Sequence, residues 1–417
     1  ELRPDDVILV KGSAEARMER VAAGLLAPDV APDAVLVRQE KAWRQLRIGT
    51  PDRPTTLQID LDALAINTRI LRRATNTPIM AVLKADAYGH GAIRAARTVL
   101  FNGATMLAVA TLGEALNLRR ADIAAPILIL GYTPAWQMRE AVINNITVTV
   151  FARDTVLALN DAAKSAHTTA NVQIKVDTGM TRLGLPPSDI PDFVRLIHGL
   201  SNVKLDGIFT HFATADEDDY GYVATQWQRF DRLIHDLTAE GLRPPHVHAA
   251  NSAAAIRFPQ ARYDLVRTGI ALYGLDYANH PELELMPVLS FHSEIAQIHH
   301  VDAGTPVSYG CTFVTQRPSK IATIPVGYAD GFRRSPYSWR EVLIRGKRAP
   351  VVGRVCMDYT MIDVTDLADV TQGDPVVLIG KQGHDCITVE EVAAWLKTSN
   401  YEVVSAILPR VPREAEG

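Results

Sequence analysis

"PIMAVLKADAYGHGAIRAARTVLFNGATMLAVAT", residues 78–111, contains the pattern that decides the fold. An apolar run of strand length delivers a lysine, Lys84, and then breaks into small and polar residues. "GAIRAARTVLFNG" follows with apolar residues three and four apart, and "MLAVAT" is a second apolar run. Near-continuous apolar strands on either side of an amphipathic helix predict a parallel βαβ unit. The rhythm continues through "PILILGYT", "ITVTVF", "NVQIKVDTG", "LDGIFTHF", "HVHAAN" and "LVRTGIALYG". Helical segments such as "TVLALNDAAKSA" and "YVATQWQRFDRLIHDLTAEG" lie between these runs. Eight strands of this kind predict an α/β fold, a closed (β/α)8 TIM barrel. Four or five would favour an open doubly wound sheet, and no GxGxxG follows a first strand.

After about residue 285 the helical period gives way to alternation of period two. It runs through "VLSFHSEIAQIHHV", "KIATIPVGYA", "EVLIRGKRAPVVGRV", "YTMIDVTD" and "DPVVLIG". This predicts a mostly β domain over residues 286–417. A helix is expected near "TVEEVAAWLKT", opened by the spacing of a capping box. The barrel is assigned to residues 51–285. Residues 1–50 are expected to form an N-terminal extension and linker: "DDVILVKGSAEARMERVAAGLL" has a short strand, a turn and an amphipathic helix, and "APDVAPDA" has linker composition.

Of the 417 residues, 47% are hydrophobic and 22% charged, which fits a soluble globular chain. The formal net charge of −4 has its signs interspersed, so no basic stripe offers itself to nucleic acid. No apolar stretch is long enough to span a bilayer, and the start lacks the pattern of a signal peptide. Cys311, Cys356 and Cys386 are odd in number and far apart, as expected in a reducing cytoplasm, and no metal-ligand spacing occurs. Because residue 1 is Glu, the chain is expected to be a processed or excised segment of a longer one.

Catalytic groups of such barrels sit where strands run out into the following loops. Lys84 ends the first strand; Lys175, Asp177 and Arg182 follow the fifth in "KVDTGMTRLG". His211 lies in "THFATADE", His248, Asn251 and Ser252 in "HAANSAAA", and Arg267, Gly269 and Ile270 in "DLVRTGIALYG". Each alone has a plainer use: a solvated lysine, a surface ion pair, a core histidine, a helix cap. Chance would scatter such residues over both barrel ends, yet here they share one. Ser252 and the Gly269–Ile270 backbone fit a phosphate in the loops after strands seven and eight. A phosphate facing a strand-end lysine suggests pyridoxal 5′-phosphate, held by Lys84 as a Schiff base. Burial would favour the neutral amine that this requires.

Over about residues 53–413 the chain resembles the alanine racemase family, barrel-type pyridoxal-phosphate enzymes of bacterial cell-wall synthesis. The resemblance rests on "AVLKADAYGHG", "KVDTGMTRLG", "THFATADE", "ANSAAA", "RTGIALYG", "VSYG", "GYADG", "GRVCMD" and "NYEV", in the family's order. It implies racemisation of alanine in the cytoplasm, supplying D-alanine for peptidoglycan, by a homodimer with shared active sites. It also implies that Lys84 carries the cofactor and acts as one base, with Tyr309 from the partner subunit as the other. Tyr88, Ser252, Gly269, Ile270 and Tyr401 would hold the phosphate, with Asn251 beside them. Arg267 would face the pyridine nitrogen, Arg182 the ring oxygen, and His211 the ring itself. Met357 and Asp358 would reach in from the second subunit toward substrate, and Tyr328 would line its entrance. Lys175 matches a position often carbamylated in this family. The opening stretch, residues 1–30, resembles the C-terminal end of the Mur ligase that adds D-alanyl-D-alanine.

Two bases suit the reaction, because the α-proton leaves one face and another returns on the opposite face. A phenol is a weak base, and neighbouring His211 and Arg267 would stabilise its anion. Other readings of the same architecture are a serine or broad-specificity racemase, a basic amino acid decarboxylase, and a non-enzymatic cofactor carrier. The decarboxylase lacks support because its "CDG" signature is missing. The carrier lacks it because carriers resemble the barrel alone.

Overall fold

The computed structural model describes residues 53–275 and 283–416. The expected extension over residues 1–50, with its ligase resemblance, lies outside the described residues. The first described strand, β1 (Thr56–Asp60), stands apart from the barrel that follows it. It pairs with strands more than 200 residues away, described below. Asp60 ends it and caps helix α1 (Leu61–Thr75), its carboxylate accepting from the Ala63 amide at 2.8 Å.

The barrel consists of β2 (Ile79–Val82), β3 (Ala104–Val109), β4 (Ile127–Ile129), β5 (Thr147–Val150), β6 (Ala170–Lys175), β7 (Val203–Phe209), β8 (His246–His248) and β9 (Val266–Thr268). All eight expected strands form, parallel and in sequential order, with β9 returning to pair with β2. Between β8 and β9 closure rests on backbone hydrogen bonds, the Arg267 amide donating to Ala250 O at 3.0 Å. β2, β4 and β5 are buried on both faces, which is why β2 and β4 read as unbroken apolar runs; β5 buries Thr147 and Thr149, the Thr149 hydroxyl donating to Ile129 O at 2.6 Å. Around them pack α2 (Ala92–Phe101), α3 (Leu112–Arg120), α4 (Met138–Ile143), α5 (Arg153–Ser165), α6 (Ile190–His198), α7 (Gly221–Ala239) and α8 (Ser252–Arg257). On α7 the buried residues Val223, Gln226, Phe230, Leu233, Ile234 and Leu237 recur at helical spacing. Gln226 is the polar exception, and the active site accounts for it.

The second domain is β throughout apart from two short helices. Its strands are β10 (Leu289–Glu294), β11 (Gln297–Val301), β12 (Pro306–Val307), β13 (Phe313–Val314), β14 (Ser319–Ile324), β15 (Glu341–Ile344), β16 (Lys347–Val352), β17 (Thr360–Asp363), β18 (Pro375–Gln382), β19 (Asp385–Ile387) and β20 (Arg413–Glu416). β1 lies between β10, antiparallel to it, and β20, parallel to it. Leu57, Gln58 and Ile59 are in register with both neighbours, Leu57 lying opposite Phe291 on one side and Arg413 on the other. The strand before the barrel thus belongs to the β domain's sheet. Helices α9 (Val389–Leu396) and α10 (Asn400–Ser405) complete the domain. Only half of the expected capping box forms on α9. Thr388 accepts from the Glu391 amide at 3.1 Å, but the Glu391 carboxylate turns to Arg348 at 2.5 Å. A charge-assisted contact outcompetes the neutral amide there.

Candidate active site

Lys84 follows β2 with Leu83 between them, and the chain then makes a left-handed turn. Ala85, Asp86, Ala87 and Tyr88 have φ of 52°, 53°, 55° and 54°, with no glycine among them. Each such residue costs about 1–2 kcal/mol, so a run of four persists only where its surroundings hold it. Here the Ala87 amide donates to Leu83 O, Gly89 to Ala85 O and Gly91 to Asp86 O. Glu114 supplies the tertiary contact. One oxygen accepts from the Ala85 amide at 2.7 Å; the other accepts from Ala110 at 2.7 Å and from Thr111, closing a capping box on α3. One carboxylate therefore fixes the loops after β2 and β3 together.

The turn brings Tyr88 back beneath Lys84, its ring centroid 6.0 Å from the ammonium nitrogen. The Tyr88 ring packs beside Tyr273 and Tyr401, at 5.2 Å and 6.0 Å. Its hydroxyl lies so close to Gly269 that a Cβ there would come within 2.6 Å of it. Glycine is required by this approach of side chain to backbone. Ser252 Oγ accepts from the Gly269 amide at 2.9 Å and from Ala271 at 3.5 Å. Its own hydrogen is left to donate into the cavity. Asn251, which also lines the cavity, caps α8 by accepting from the Ala254 amide at 2.9 Å.

After β6, Asp177 accepts from the Gly179 and Thr181 amides and shapes the loop that carries Arg182. Gln226 of α7 ties this loop to the next. It donates to His211 O and to the Thr178 hydroxyl, and it accepts from the Ala213 amide. Lys84, Lys175, Arg182 and Arg267 all line one cavity of about 350 Å³. Tyr88, His211, Asn251, Ser252, Gly269, Ile270 and, from the β domain, Tyr401 also line it, together with Asp216 and a set of largely apolar residues.

Burial and the neighbouring arginines depress the proton affinity of both lysines in the cavity. Burial first, then Arg182, lowers the Lys84 pKa, and Glu114 partly opposes this. Burial, then Arg267 and Arg182, takes Lys175 well below its ordinary value. His211 is held well below its usual range by burial and Arg267. Arg267 is pulled down to about 9, by burial, and so keeps its charge at neutral pH. Its guanidinium donates to Thr210 O and Ala249 O, both at 2.8 Å, and faces His211 Nδ1 at 3.3 Å. The expected rim residue His248 instead turns into the barrel, fully buried, with Nδ1 2.8 Å from Arg267.

Tyr309, Tyr328, Met357 and Asp358 do not line this cavity within one chain. They form a separate cluster on the β domain, where Tyr309 is 62% and Met357 53% exposed. The Tyr328 amide donates to Cys356 O and Ala329 to Met357 O, which binds the two loops edge to edge. Arg410 clamps them from behind, 2.6 Å from the buried Asp330 and 2.7 Å from Asp358. The Asp358 carboxylate is thus engaged by an arginine of its own chain. Sequence reasoning did not single out Glu114, Gln226 or Arg410. Only Glu114 had a readable local signal, as the last residue of the "TLGE" capping box at 111–114.

Comparison with known proteins decides the family. Residues 59–277 match the alanine racemase N-terminal domain and residues 288–415 the alanine racemase C-terminal domain. This chain belongs to the alanine racemase family. The alanine racemase of Halothermothrix orenii is 44% identical over 368 residues, 87% of this chain and 97% of that one. That of Methanococcus maripaludis is 43% identical over 366 residues, covering 86% and 98%. Among solved structures, the alanine racemase of Bacillus anthracis with bound L-Ala-P has a TM-score of 0.83. It is 40% identical, and the match covers 88% of this chain and 95% of that one. The Streptomyces lavendulae alanine racemase has the same TM-score at 35% identity, covering 88% and 98%. Family membership accounts for the barrel, the β domain and their order along the chain. Among the described residues no helix is long and apolar enough to cross a membrane.

Proposed function

We propose that the chain is a pyridoxal-phosphate-dependent alanine racemase. It works in the cytoplasm as a homodimer and supplies D-alanine for peptidoglycan. The observation that carries this reading is Lys84, its pKa lowered, facing an anion cradle in a cavity lined by four cationic side chains. The cradle fits a phosphate: the Ser252 hydroxyl has a free hydrogen, and the Gly269 backbone tolerates close approach. Tyr88, Ser252, Gly269, Ile270 and Tyr401 would hold the phosphate, with Asn251 capping the helix beside it. Arg267 would face the ring nitrogen, Arg182 the ring oxygen, and His211 the ring.

When bound, pyridoxal phosphate acidifies the α-proton of an amino acid by delocalising the electron pair left behind. The chain's own residues move the proton. Lys84 Nζ takes or returns it on one face, and Tyr309 Oη of a second copy does so on the other. Met357 and Asp358 of that second copy would border the substrate, and Tyr328 its entrance. Incubation with L-alanine in deuterated water will yield D-alanine carrying deuterium at the α-carbon. Release of CO2, preference for L-serine in parallel assays, or no turnover would sink the assignment.

Lys175 shares the cavity with Arg182, Arg267 and Lys84, and Asp177 partly offsets the two arginines that depress it. Carbamylation of its neutral amine by CO2 would put an anion between those arginines. In 13C-labelled bicarbonate the protein will show a carbamate carbon resonance that Lys175→Ala lacks. A spectrum without that resonance would remove the modification from this account.

A further inference from the structure

Gln173 and Asp206 lie outside the cavity wall, yet a chain of hydrogen bonds joins them to it. Arg267 Nη1 is 2.8 Å from His248 Nδ1, and His248 Nε2 is 2.8 Å from Gln173 Oε1. Gln173 Nε2 donates to Asp206 Oδ2 at 2.9 Å. His248 and Gln173 are both fully buried, so neither can turn to water for a partner. Asp206 is partly exposed, and the exposed His246 lies 3.8 Å from its other oxygen, so the chain ends at solvent.

The two ends dictate the direction of every bond. A guanidinium has donors only, so His248 Nδ1 must accept. The proton of the neutral ring then sits on Nε2 and is donated to Gln173 Oε1. A carboxylate accepts only, so it holds the amide nitrogen of Gln173 toward itself and the oxygen toward the histidine. Reversing the Gln173 amide would set donor against donor at one end and acceptor against acceptor at the other. The surroundings preserve the arrangement. Phe209 stacks flat on His248 at 4.9 Å, and Gly207 leaves room for Gln173, where a Cβ would come within 3.0 Å of Cδ.

We propose that Gln173 and Asp206 are positioning residues for Arg267. Opposite Arg267, they give the Nε2 proton of His248 its acceptor, so that the Nε2–H tautomer is satisfied at both nitrogens and holds the guanidinium in the plane and place from which it meets its ligand. The identity of that ligand as the cofactor's ring nitrogen rests on the function proposed above; the chain of bonds does not.

The test uses protein labelled with 15N-histidine, the His248 signal being assigned by its loss in His248→Gln. Long-range 15N–1H correlation of the wild type will show a protonated Nε2 and a bare Nδ1. Gln173→Glu keeps an acceptor against Nε2 and will retain this pattern. Gln173→Leu leaves the buried Nε2 proton without an acceptor, a cost that competes with the Arg267 bond, and will mix the two tautomers. Asp206→Ala, at the exposed end where packing is spared, will mix them through the freed amide even if the leucine variant does not fold. In holoenzyme carrying 15N-labelled pyridoxal phosphate, the ring-nitrogen signal will move in Gln173→Leu and Asp206→Ala and stay in Gln173→Glu. Turnover of alanine will fall by about tenfold in the first two, the scale of losing an outer hydrogen-bond partner. A wild-type His248 protonated on Nδ1, or an unchanged tautomer in both Gln173→Leu and Asp206→Ala, would overturn the proposal. Failure of the protein to take up pyridoxal phosphate would strike the proposed function alone, because the tautomer is read without cofactor.

Discussion

Replacing Lys84 by alanine will remove the visible absorbance band of the lysine-held cofactor and slow alanine racemisation by roughly 10³- to 10⁴-fold. The size of the effect follows from two duties resting on one nitrogen, as the tether and as the base on one face. The surroundings prepare that nitrogen for both. Burial and Arg182 lower its pKa, so the neutral amine becomes available below the ordinary 10.5. Cofactor capture by the wild type will accordingly rise with pH through a midpoint under that value. The same shift gives the sign of the stability effect. Unfolded lysine holds its proton up to about 10.5, while the folded chain releases it earlier. The unfolded state therefore binds more protons across that window, and Lys84 costs the fold stability as pH falls through it. Lys84→Ala will keep or raise the thermal midpoint at neutral pH while activity disappears. A variant that is still yellow and active, or one that is inactive only because it is unfolded, would each refute the assignment.

That Lys84 stood out in the sequence at all is a consequence of the parallel barrel. β2 is buried on both faces and wholly apolar, so the ammonium that follows it is conspicuous; Lys175 and Arg267 stood out instead as charges in or at the end of mostly buried strands. The turn after Lys84 was not legible. Of Ala-Asp-Ala-Tyr only the aspartate tolerates positive φ at all readily, and the carboxylate that sustains the run, Glu114, lies nearly thirty residues on. β1 was likewise hidden, because pairing with β10 and β20 is set by contacts across the whole chain rather than by local pattern. Gln173 left a trace that could have been followed. It is the uncharged polar residue flanked by Val172 and Ile174 in "NVQIKV", and a buried amide in a barrel strand demands partners on both sides. His248 was noticed but placed at the rim, since periodicity alone cannot say which way a residue at a strand's end turns.

The separation of Tyr309 from the Lys84 cavity leads to the most discriminating prediction. Tyr309 projects from the β domain, well exposed, on a turn held by Ser308 Oγ donating to Arg354 O at 2.5 Å. It does not line its own chain's cavity. If a partner subunit lends it, Lys84→Ala and Tyr309→Phe are defects of different halves of the same site. Each variant alone will be nearly inactive, Tyr309→Phe failing more severely in proton removal from L-alanine than from D-alanine. Co-expressed at equal amounts with separate tags, the two chains will form hybrid dimers. In a twofold dimer one hybrid site combines both defects and the other has neither. Random pairing makes about half of the dimers hybrid, so about a quarter of wild-type activity will return, and purified hybrids will carry about half. A tyrosine acting within its own chain gives no recovery, because every site would then keep one defect. Gel filtration at one chain's mass, or hybrids as inactive as their parents, would end the shared-site account and leave the second base to be sought among the cavity's own residues.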